Sequence, residues 1–258
     1  KKAPVTIDLR HQEISLPNLI IGGPRGMVKK GNYLIVLDWS TKYFYHLIDL
    51  KNKEYKAKFI RKGQGPNELV SLMYSYPIKD SKGECFLIDP SNIMFSYNTD
   101  DYHLKRRGRL GFGWENVDKD NYDSPSVYNI MEMSDFGINM IALNDTLALV
   151  PVSLVDRLLS GVSVDRYHKG HILAELNLQT MKVEKVVGKL PMIYMDKPTP
   201  LFEFFQYDMA GDTLFVNHAV DSLIYVYRYP DQLLYTMGYE VENDESHRLA
   251  GDLVFCGR

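Results

Sequence analysis

Short apolar runs of five to eight residues recur along the chain, and Gly, Asn, Asp or Pro separates each run from the next. Runs of this length and composition are typical of β-strands. Tyr33–Asp38, Tyr43–Leu50 and Tyr55–Arg61 follow one another with only short polar turns between them. Consecutive strands joined by tight turns predict an antiparallel meander. Helix signals are sparse, and Val155–Leu159 predicts a single turn.

The first run of this meander recurs further along the chain, where Ile35–Ser40 aligns with Phe86–Ser91. Three more copies follow, at Asp145–Val150, Gly211–Val216 and Gly251–Cys256. The later strands of the unit also recur, at His171–Leu178, Lys182–Val187, Ser222–Tyr229 and Leu233–Gly238. A repeated four-stranded antiparallel unit predicts the blades of a β-propeller. The alternative is a β-sandwich whose strands are similar by coincidence.

We therefore predict an all-β fold, a single propeller domain over residues 1–258 with five to six blades. The strands Tyr33–Asp38, Phe86–Asp89, Thr146–Val150 and Thr213–Asn217 should be equivalent. The first strand of each blade should lie within Gly26–Lys30, Ser71–Ile78, Ser126–Ser134 and Leu201–Tyr207. The fifth blade is incomplete in this sequence. Either Val5–Leu9 and Glu13–Leu16 complete it, or the ring needs further sequence.

Composition agrees with a folded domain, since 45% of the residues are hydrophobic and 24% are charged. The net charge of −3 provides no general attraction to nucleic acid. No apolar run approaches the ~20 residues of a membrane helix. Cys85 and Cys256 are too few for a disulfide framework, and Cys85 should be a buried thiol outside any disulfide.

Several polar residues have positions that indicate a structural role. Asp38 and Asp89 follow equivalent strands, and aspartate in such a place accepts hydrogen bonds from the backbone of the following turn. After Arg61 the chain crosses to the next repeat through Gly63, Gly65, Pro66 and Glu68, which form a turn motif. One of the glycines should have a positive φ, and the Glu68 carboxylate should accept backbone N–H groups.

The crossing Lys62–Leu69, which reads K-G-x-G-P-x-E-L, follows a blade containing LIVLD and YHLIDL. Together these features resemble the TolB-like six-bladed β-propeller lipoproteins of Gram-negative cell envelopes, which are distantly similar to NHL-type propellers. The similarity is clearest over Gly22–Asp89. It implies a location in the periplasm or at the outer membrane through a lipid anchor, and no established reaction. This chain departs from the family pattern because it has no lipobox cysteine, so any anchor lies outside it.

Motifs for catalysis are scarce. There is no G-x-S-x-G elbow, P-loop or dinucleotide fingerprint. The pair His168 and His171 lacks further ligands at metal-binding spacing and predicts a solvated loop. The basic cluster Lys105–Arg109 predicts a solvated outer strand, with a site for an anionic polymer as the alternative. We expect no cofactor, no metal and no nucleic-acid partner.

Two long insertions, Phe112–Pro125 and Ser153–Gly170, interrupt the repeats and should line the mouth of the propeller channel. Candidate ligand-binding residues are Arg25, Trp114, Tyr122, Glu132, Arg166 and Tyr167. The leading hypothesis is a non-catalytic binding or interaction propeller of the cell envelope, with a carbohydrate, peptide or protein ligand. The alternative is a propeller enzyme, either a lyase or a metal-dependent hydrolase that acts on saccharides or lactones.

Overall fold

The structure is a computed structural model. It describes residue 16 and residues 21–30, 32–65, 68–70, 74–76, 84–89, 91–98, 103–118, 120–131, 140–155, 164–196 and 204–238. The chain divides into two compact units, residues 1–70 and residues 71–258.

The first unit contains one antiparallel sheet in the order β1-β2-β3-β4. Its strands are β1 Pro24–Lys30, β2 Tyr33–Asp38, β3 Tyr43–Asp49 and β4 Glu54–Arg61. The first part of β4 shows the alternation of a strand with one face toward solvent, since exposed polar residues alternate there with less exposed ones. Tyr45 on β3 stacks on Phe59 on β4, with ring centroids 5.1 Å apart, and both rings are buried.

The described residues of the second unit form three further antiparallel sheets. The second sheet is formed by β5 Tyr74–Tyr76, β6 Glu84–Ile88, β7 Ile93–Asn98 and β8 Leu104–Arg109. The third is formed by β9 Tyr128–Ile130, β10 Ile141–Ala142, β11 Leu147–Leu154, β12 His171–Asn177 and β13 Lys182–Lys189. The fourth is formed by β14 Phe205–Ala210, β15 Thr213–His218, β16 Ile224–Arg228 and β17 Gln232–Met237. Two short helices, α1 Val164–Lys169 and α2 Ile193–Asp196, lie between strands.

The four sheets share more than strand order. In each one, the pairing of the last two strands shifts register once. The shifts lie at Leu47/Ile48, Ser96/Tyr97, Glu175/Leu176 and Val226/Tyr227. A bulge at the same place in each sheet increases the local twist in the same way. The sheets therefore repeat one structural unit, including the position of its bulge.

The predicted all-β propeller of four-stranded antiparallel blades is confirmed, and the described residues contain four of these blades. The repeated apolar runs are the strands β2, β6, β11 and β15, as predicted. The third sheet departs from the pattern, because its first strand is split into β9 and β10, which pair with successive parts of β11. The fifth copy, Gly251–Cys256, lies outside the described residues.

The largest described apolar cluster lies in the second unit and joins side chains from its three sheets. Cys85 on β6 is a buried thiol, as predicted, while Cys256 lies outside the described residues. No helix in the part of the chain that the structure describes has the length and apolar character needed to cross a membrane.

In the crossing loop after β4, the described residues have the positive φ and the carboxylate hydrogen bond that the sequence predicts. Gly63 has a φ of +157°, and the Glu68 carboxylate accepts the Gly65 N–H at 3.0 Å. Glu68 also pairs with the Arg61 guanidinium at 3.1 Å. A Cβ on Gly63 would lie 2.7 Å from Glu68 Cδ, so the carboxylate occupies the space that a side chain would need. Pro66 lies outside the described residues.

The two repeated aspartates have the predicted turn role. Asp38 is fully buried, and its carboxylate accepts four backbone N–H groups at 2.9 to 3.3 Å, those of Gly22, Gly23, Ser40 and Thr41. These hydrogen bonds hold the pKa of Asp38 below its usual range although burial opposes them. Asp89 accepts the N–H groups of Ser91 and Ile93 at 2.9 and 3.0 Å.

Candidate binding site

Tyr128, the first residue of β9, connects the two long insertions. Its ring is fully buried, and its hydroxyl donates to the Tyr122 carbonyl at 2.8 Å. The same hydroxyl accepts the backbone N–H of His171 at 2.9 Å, and the Tyr128 carbonyl accepts the Trp114 indole N–H at 2.9 Å. The first insertion and His171, which directly follows the second insertion, therefore meet at this one residue, and the meeting point is called the insertion junction below.

The first insertion is ordered by its own side chains. It contains two 3₁₀ turns, Trp114–Asn116 and Pro125–Val127. Trp114 is half-buried and stacks on Phe112, with ring centroids 5.1 Å apart and an interplanar angle of 10°. Ser124 caps the second turn by accepting the Ser126 N–H. The loop therefore presents its polar groups from a fixed backbone.

Three ionisable side chains meet at the insertion junction. Nε2 of His171 lies 2.9 Å from Asp123 Oδ1 and 3.0 Å from Lys189 Nζ. Lys189 also donates to the Lys169 carbonyl at 2.7 Å. The side chain of His171 is 7% exposed, whereas that of Asp123 is 85% exposed. The buried imidazole of His171 therefore holds the Asp123 carboxylate, which faces solvent.

Burial and neighbouring charge set the protonation of this cluster. Burial is the main cause that lowers the pKa of His171, and the nearby Lys189 charge acts in the same direction. Burial also lowers the pKa of Lys189. The hydrogen bond from His171 lowers the pKa of Asp123. At neutral pH the pair is therefore a neutral imidazole beside an ionised carboxylate.

The geometry leaves His171 little freedom for chemistry. Its Nε2 can donate to Asp123 or accept from Lys189, and its Nδ1 is buried. A general base needs a nitrogen within reach of a substrate proton, which neither atom offers. The adjoining cavity, lined partly by His171 and Phe205, holds about 20 Å³, which is enough for one water molecule. A ligand would therefore contact the outer surface of the insertion junction.

The candidate residues from the sequence fall in different places. Trp114 and Tyr122 lie at the insertion junction, where Tyr128 contacts both. Arg25 is exposed on β1 of the first unit. Arg166 lies in α1, where the structure describes its backbone and not its side chain. Glu132 lies outside the described residues.

Tyr167 is fully buried, and its ring stacks on Tyr194 with centroids 6.1 Å apart. Because α1 turns this side chain into the core, its role in the described structure is packing. The solvated loop predicted for His168 and His171 is wrong, because His168 lies in helix α1, although its side chain is exposed. His171 begins β12 and is held in the insertion junction.

Sequence reasoning missed Asp123, Tyr128, His171 and Lys189 as a group. The only signal was their position, since Asp123 lies near the end of one predicted insertion and His171 directly follows the other. Nothing in the sequence predicted that the two insertions meet. Within the described ranges, no group of three or more His, Cys, Asp or Glu side chains is arranged for a metal ion.

A second buried histidine lies apart from the insertion junction. His218 at the end of β15 is 1% exposed and is surrounded by the rings of Tyr194, Phe205 and Tyr225, at centroid distances of 5.5 to 5.8 Å. Neither ring nitrogen has a hydrogen-bond partner among the described residues. Burial lowers the pKa of His218 to about 4. This side chain is therefore neutral at neutral pH.

Comparisons with known proteins agree with the fold. A member of the DUF4221 family from Bacteroides vulgatus has a similar structure, with a TM-score of 0.55 and 12% sequence identity. The match covers 84% of this chain and 57% of that protein. A predicted exported protein of Bacteroides fragilis gives a TM-score of 0.48 and 15% identity, over 84% of this chain and 50% of that one. The chain thus spans little more than half the length of these solved structures.

No curated protein matches the sequence. The sequence model of one family does match, and it is described as TolB-like 6-blade propeller-like. The match covers residues 8–124, which include the first two sheets and the crossing loop between them. The resemblance predicted from Lys62–Leu69 is thus confirmed, and over residues 8–124 the chain is similar to the TolB-like six-bladed propellers.

Proposed function

We propose that this protein is a non-catalytic binding propeller of the bacterial cell envelope, and that its ligand contacts the insertion junction. The similarity to TolB-like propellers supports the location in the envelope. The ligand class, whether carbohydrate, peptide or protein, is left open by this proposal. Membrane attachment would be through a lipid anchor.

One observation carries the proposed site: the Tyr128 hydroxyl bonds the Tyr122 carbonyl in the first insertion and the N–H of His171, which directly follows the second insertion. Tyr128 and His171 are 43 residues apart in the sequence. Binding residues are often found on loops that a rigid scaffold holds in place. The surface beside this joint offers an exposed carboxylate on Asp123 and the half-buried rings of Trp114 and Tyr122. Aromatic rings with polar tips supply contact area, and the carboxylate supplies orientation.

The enzyme alternative has weaker support. A lyase or hydrolase needs a base whose reactive atom can reach the substrate. His171 is the most suitable base at the insertion junction, but its Nε2 is engaged by Asp123 and Lys189. Asp123 itself has a lowered pKa, which makes it a weak base.

Binding can be tested with a glycan array and a peptide library, comparing the wild-type chain with Trp114→Ala and Asp123→Asn. We expect both variants to weaken binding of the captured ligand at least fivefold. Asp212→Asn is a matched control, since Asp212 is also exposed and lies in the turn before β15. Equal binding by all four proteins would remove the insertion junction from the site. Turnover of an arrayed saccharide would favour the enzyme alternative.

Location can be tested separately by expressing the full-length gene product in a Gram-negative host and fractionating the cells. The proposal expects the protein in the periplasmic or outer-membrane fraction. Recovery in the cytoplasm would contradict it, whatever the binding assays give.

A further inference from the structure

We propose that the exposed face of β8 is a second binding site, which takes carboxylate-bearing saccharides through Arg107 and Arg109. The proposal requires no contact with Asp123 or His171, although Trp114 of the insertion junction lies beneath Arg109 and is therefore shared by the two sites. It starts from the distribution of charge on one strand.

The four cations of β8 are not equivalent. Lys105 and Arg106 both bind the buried carboxylate of Glu84, at 2.7 and 2.9 Å. These contacts, with a hydrogen bond from Ser96, hold the pKa of Glu84 at about 2. That carboxylate is therefore ionised at neutral pH, and the two cations that bind it are committed to the fold.

Arg107 and Arg109 have no carboxylate partner among the described residues, and both are exposed. Alternate residues of a strand lie on the same face, so these two guanidinium groups extend from positions roughly 7 Å apart. Each is placed over an aromatic ring, Arg107 over Phe95 at 5.3 Å and Arg109 over Trp114 at 5.2 Å. Stacking on an aromatic face restricts the orientation of a guanidinium, while the N–H donors at the edge of the guanidinium remain available for an anion.

The same face contains an open groove of about 460 Å³, lined by Ser91, Ile93, Arg107, Gly108 and Arg109. This volume suits a ligand of small-molecule size. The Ser91 hydroxyl can exchange hydrogen bonds with a sugar hydroxyl, and Ile93 offers an apolar contact for sugar C–H groups. A planar guanidinium can bind a carboxylate through two parallel hydrogen bonds.

Two other anionic partners fit the surface less well. An acidic peptide that added a strand to β8 would need a clear edge, but Arg106 Nη1 donates to the Gln179 carbonyl at 2.9 Å and Gly111 N–H donates to Met181 at 2.8 Å. The turn between β12 and β13 therefore lies beside this edge. Nucleic acid is disfavoured by the net charge of −3 and the small number of unpaired cations.

The test is titration calorimetry of the chain with a galacturonate oligomer, and with its methyl ester as the matched neutral ligand. We expect binding of the acid and at least tenfold weaker binding of the ester, because the ester cannot form charge-assisted hydrogen bonds. Binding of the acid should weaken as salt increases. Equal binding of acid and ester would overturn the proposal.

Variants then locate the site. The double variant Arg107→Gln and Arg109→Gln should bind the galacturonate oligomer at least tenfold more weakly, while Arg107→Lys should lose several-fold, since lysine keeps the charge but not the planar fork. Arg228→Gln removes one exposed guanidinium from the end of β16, away from the groove, and should bind as wild type. A circular dichroism melt identical to that of the wild type should accompany the double variant, because both side chains are exposed.

Other anions serve as competitors. If poly-glutamate or inorganic phosphate binds as tightly as the galacturonate oligomer, the saccharide assignment is wrong. Wild-type affinity in the double variant would also overturn it. Loss of this binding in Asp123→Asn would instead assign the oligomer to the insertion junction, so failure here is distinguishable from failure of the function proposed above.

Discussion

Asp38 and Asp123 are two aspartates with ionised carboxylates and opposite surroundings. Asp38 is fully buried at the end of β2 and accepts four backbone N–H groups. Asp123 is 85% exposed and is held by the single side chain of His171. The sequence places Asp38 in a repeated motif, whereas Asp123 occurs once, in an insertion.

The difference separates two kinds of polar residue in a repeat protein. A residue that recurs at the same place in successive blades supports the turn that every blade needs, and Asp89 repeats the role of Asp38. A residue that occurs once and faces solvent does not support a repeated turn. The same substitution at these positions should therefore have very different effects on stability.

The largest effect is expected for Asp38→Asn. The amide nitrogen would face backbone N–H groups that need an acceptor, so the free energy of unfolding should fall by about 3 kcal/mol. Urea unfolding followed by circular dichroism measures the loss. Asp89→Asn is the matched comparison and should cost about 1 kcal/mol, since its carboxylate accepts fewer hydrogen bonds. Equal losses at the two positions would show that recurrence, rather than burial, sets the cost.

His218 tests the comparison from the other side, because it is buried but unrelated to the repeated turns. Its folded pKa of about 4 lies below the unfolded value of 6.5, so the unfolded chain takes up a proton first as the pH falls. This group should therefore remove about 3 kcal/mol of stability between pH 7 and pH 4.

The control for this pH effect is His218→Phe, which retains an aromatic ring and cannot be protonated. Subtracting its urea stability from that of the wild type at each pH removes the shared titration of other groups. The difference between the two proteins should shift in favour of the variant as the pH falls. A constant difference would mean that His218 is solvated in the folded chain.

A smaller effect is expected for Gly63→Ala. The new methyl group would displace the Glu68 carboxylate and break its bonds to Gly65 and Arg61, which should cost about 2 kcal/mol. Gly26→Ala in the same unit is the control, since no heavy atom lies within 4 Å of its added Cβ. Thermal melts of both variants should show a lowered Tm for Gly63→Ala only.

The smallest effect on stability is expected for Asp123→Asn, at less than about 0.5 kcal/mol, because water competes for the hydrogen bond between the exposed carboxylate and the neutral His171. The same variant is expected to weaken ligand binding. Urea unfolding beside the binding assay measures both quantities on one sample. A loss of stability comparable to that of Asp38→Asn would identify Asp123 as a structural residue and end the contrast between the two.

The fold could be predicted from the sequence because each blade repeats the same short pattern of strand and turn residues. Apolar runs such as Tyr33–Asp38 and the turn residues beside them are read within a few residues, and consecutive pairing then follows from short turns. The shared bulge between the last two strands was not predicted. It is a property of how two strands pair and leaves no distinct residue pattern, as Leu47/Ile48 and Ser96/Tyr97 illustrate.

The candidate site was accessible only in part. The two insertions were identified by the interruption of the repeats, but contacts such as His171 with Asp123 join residues 48 positions apart. Tyr167 illustrates the opposite error, since an aromatic residue in an insertion was expected at the surface and lies in the core. Which face of a short helix is buried depends on what packs against it, and the sequence does not specify that.

The hydroxyl of Tyr128 has a consequence for how the loops can diverge between related proteins. One oxygen atom donates to the Tyr122 carbonyl and accepts from the His171 N–H, so both loops must end at fixed points around it. Within each loop, residues can be inserted or deleted away from Tyr122 and His171 without disturbing the insertion junction. A length change that moves either end would leave a buried hydroxyl without its partner, so the two loops are expected to change length together or only at their tips.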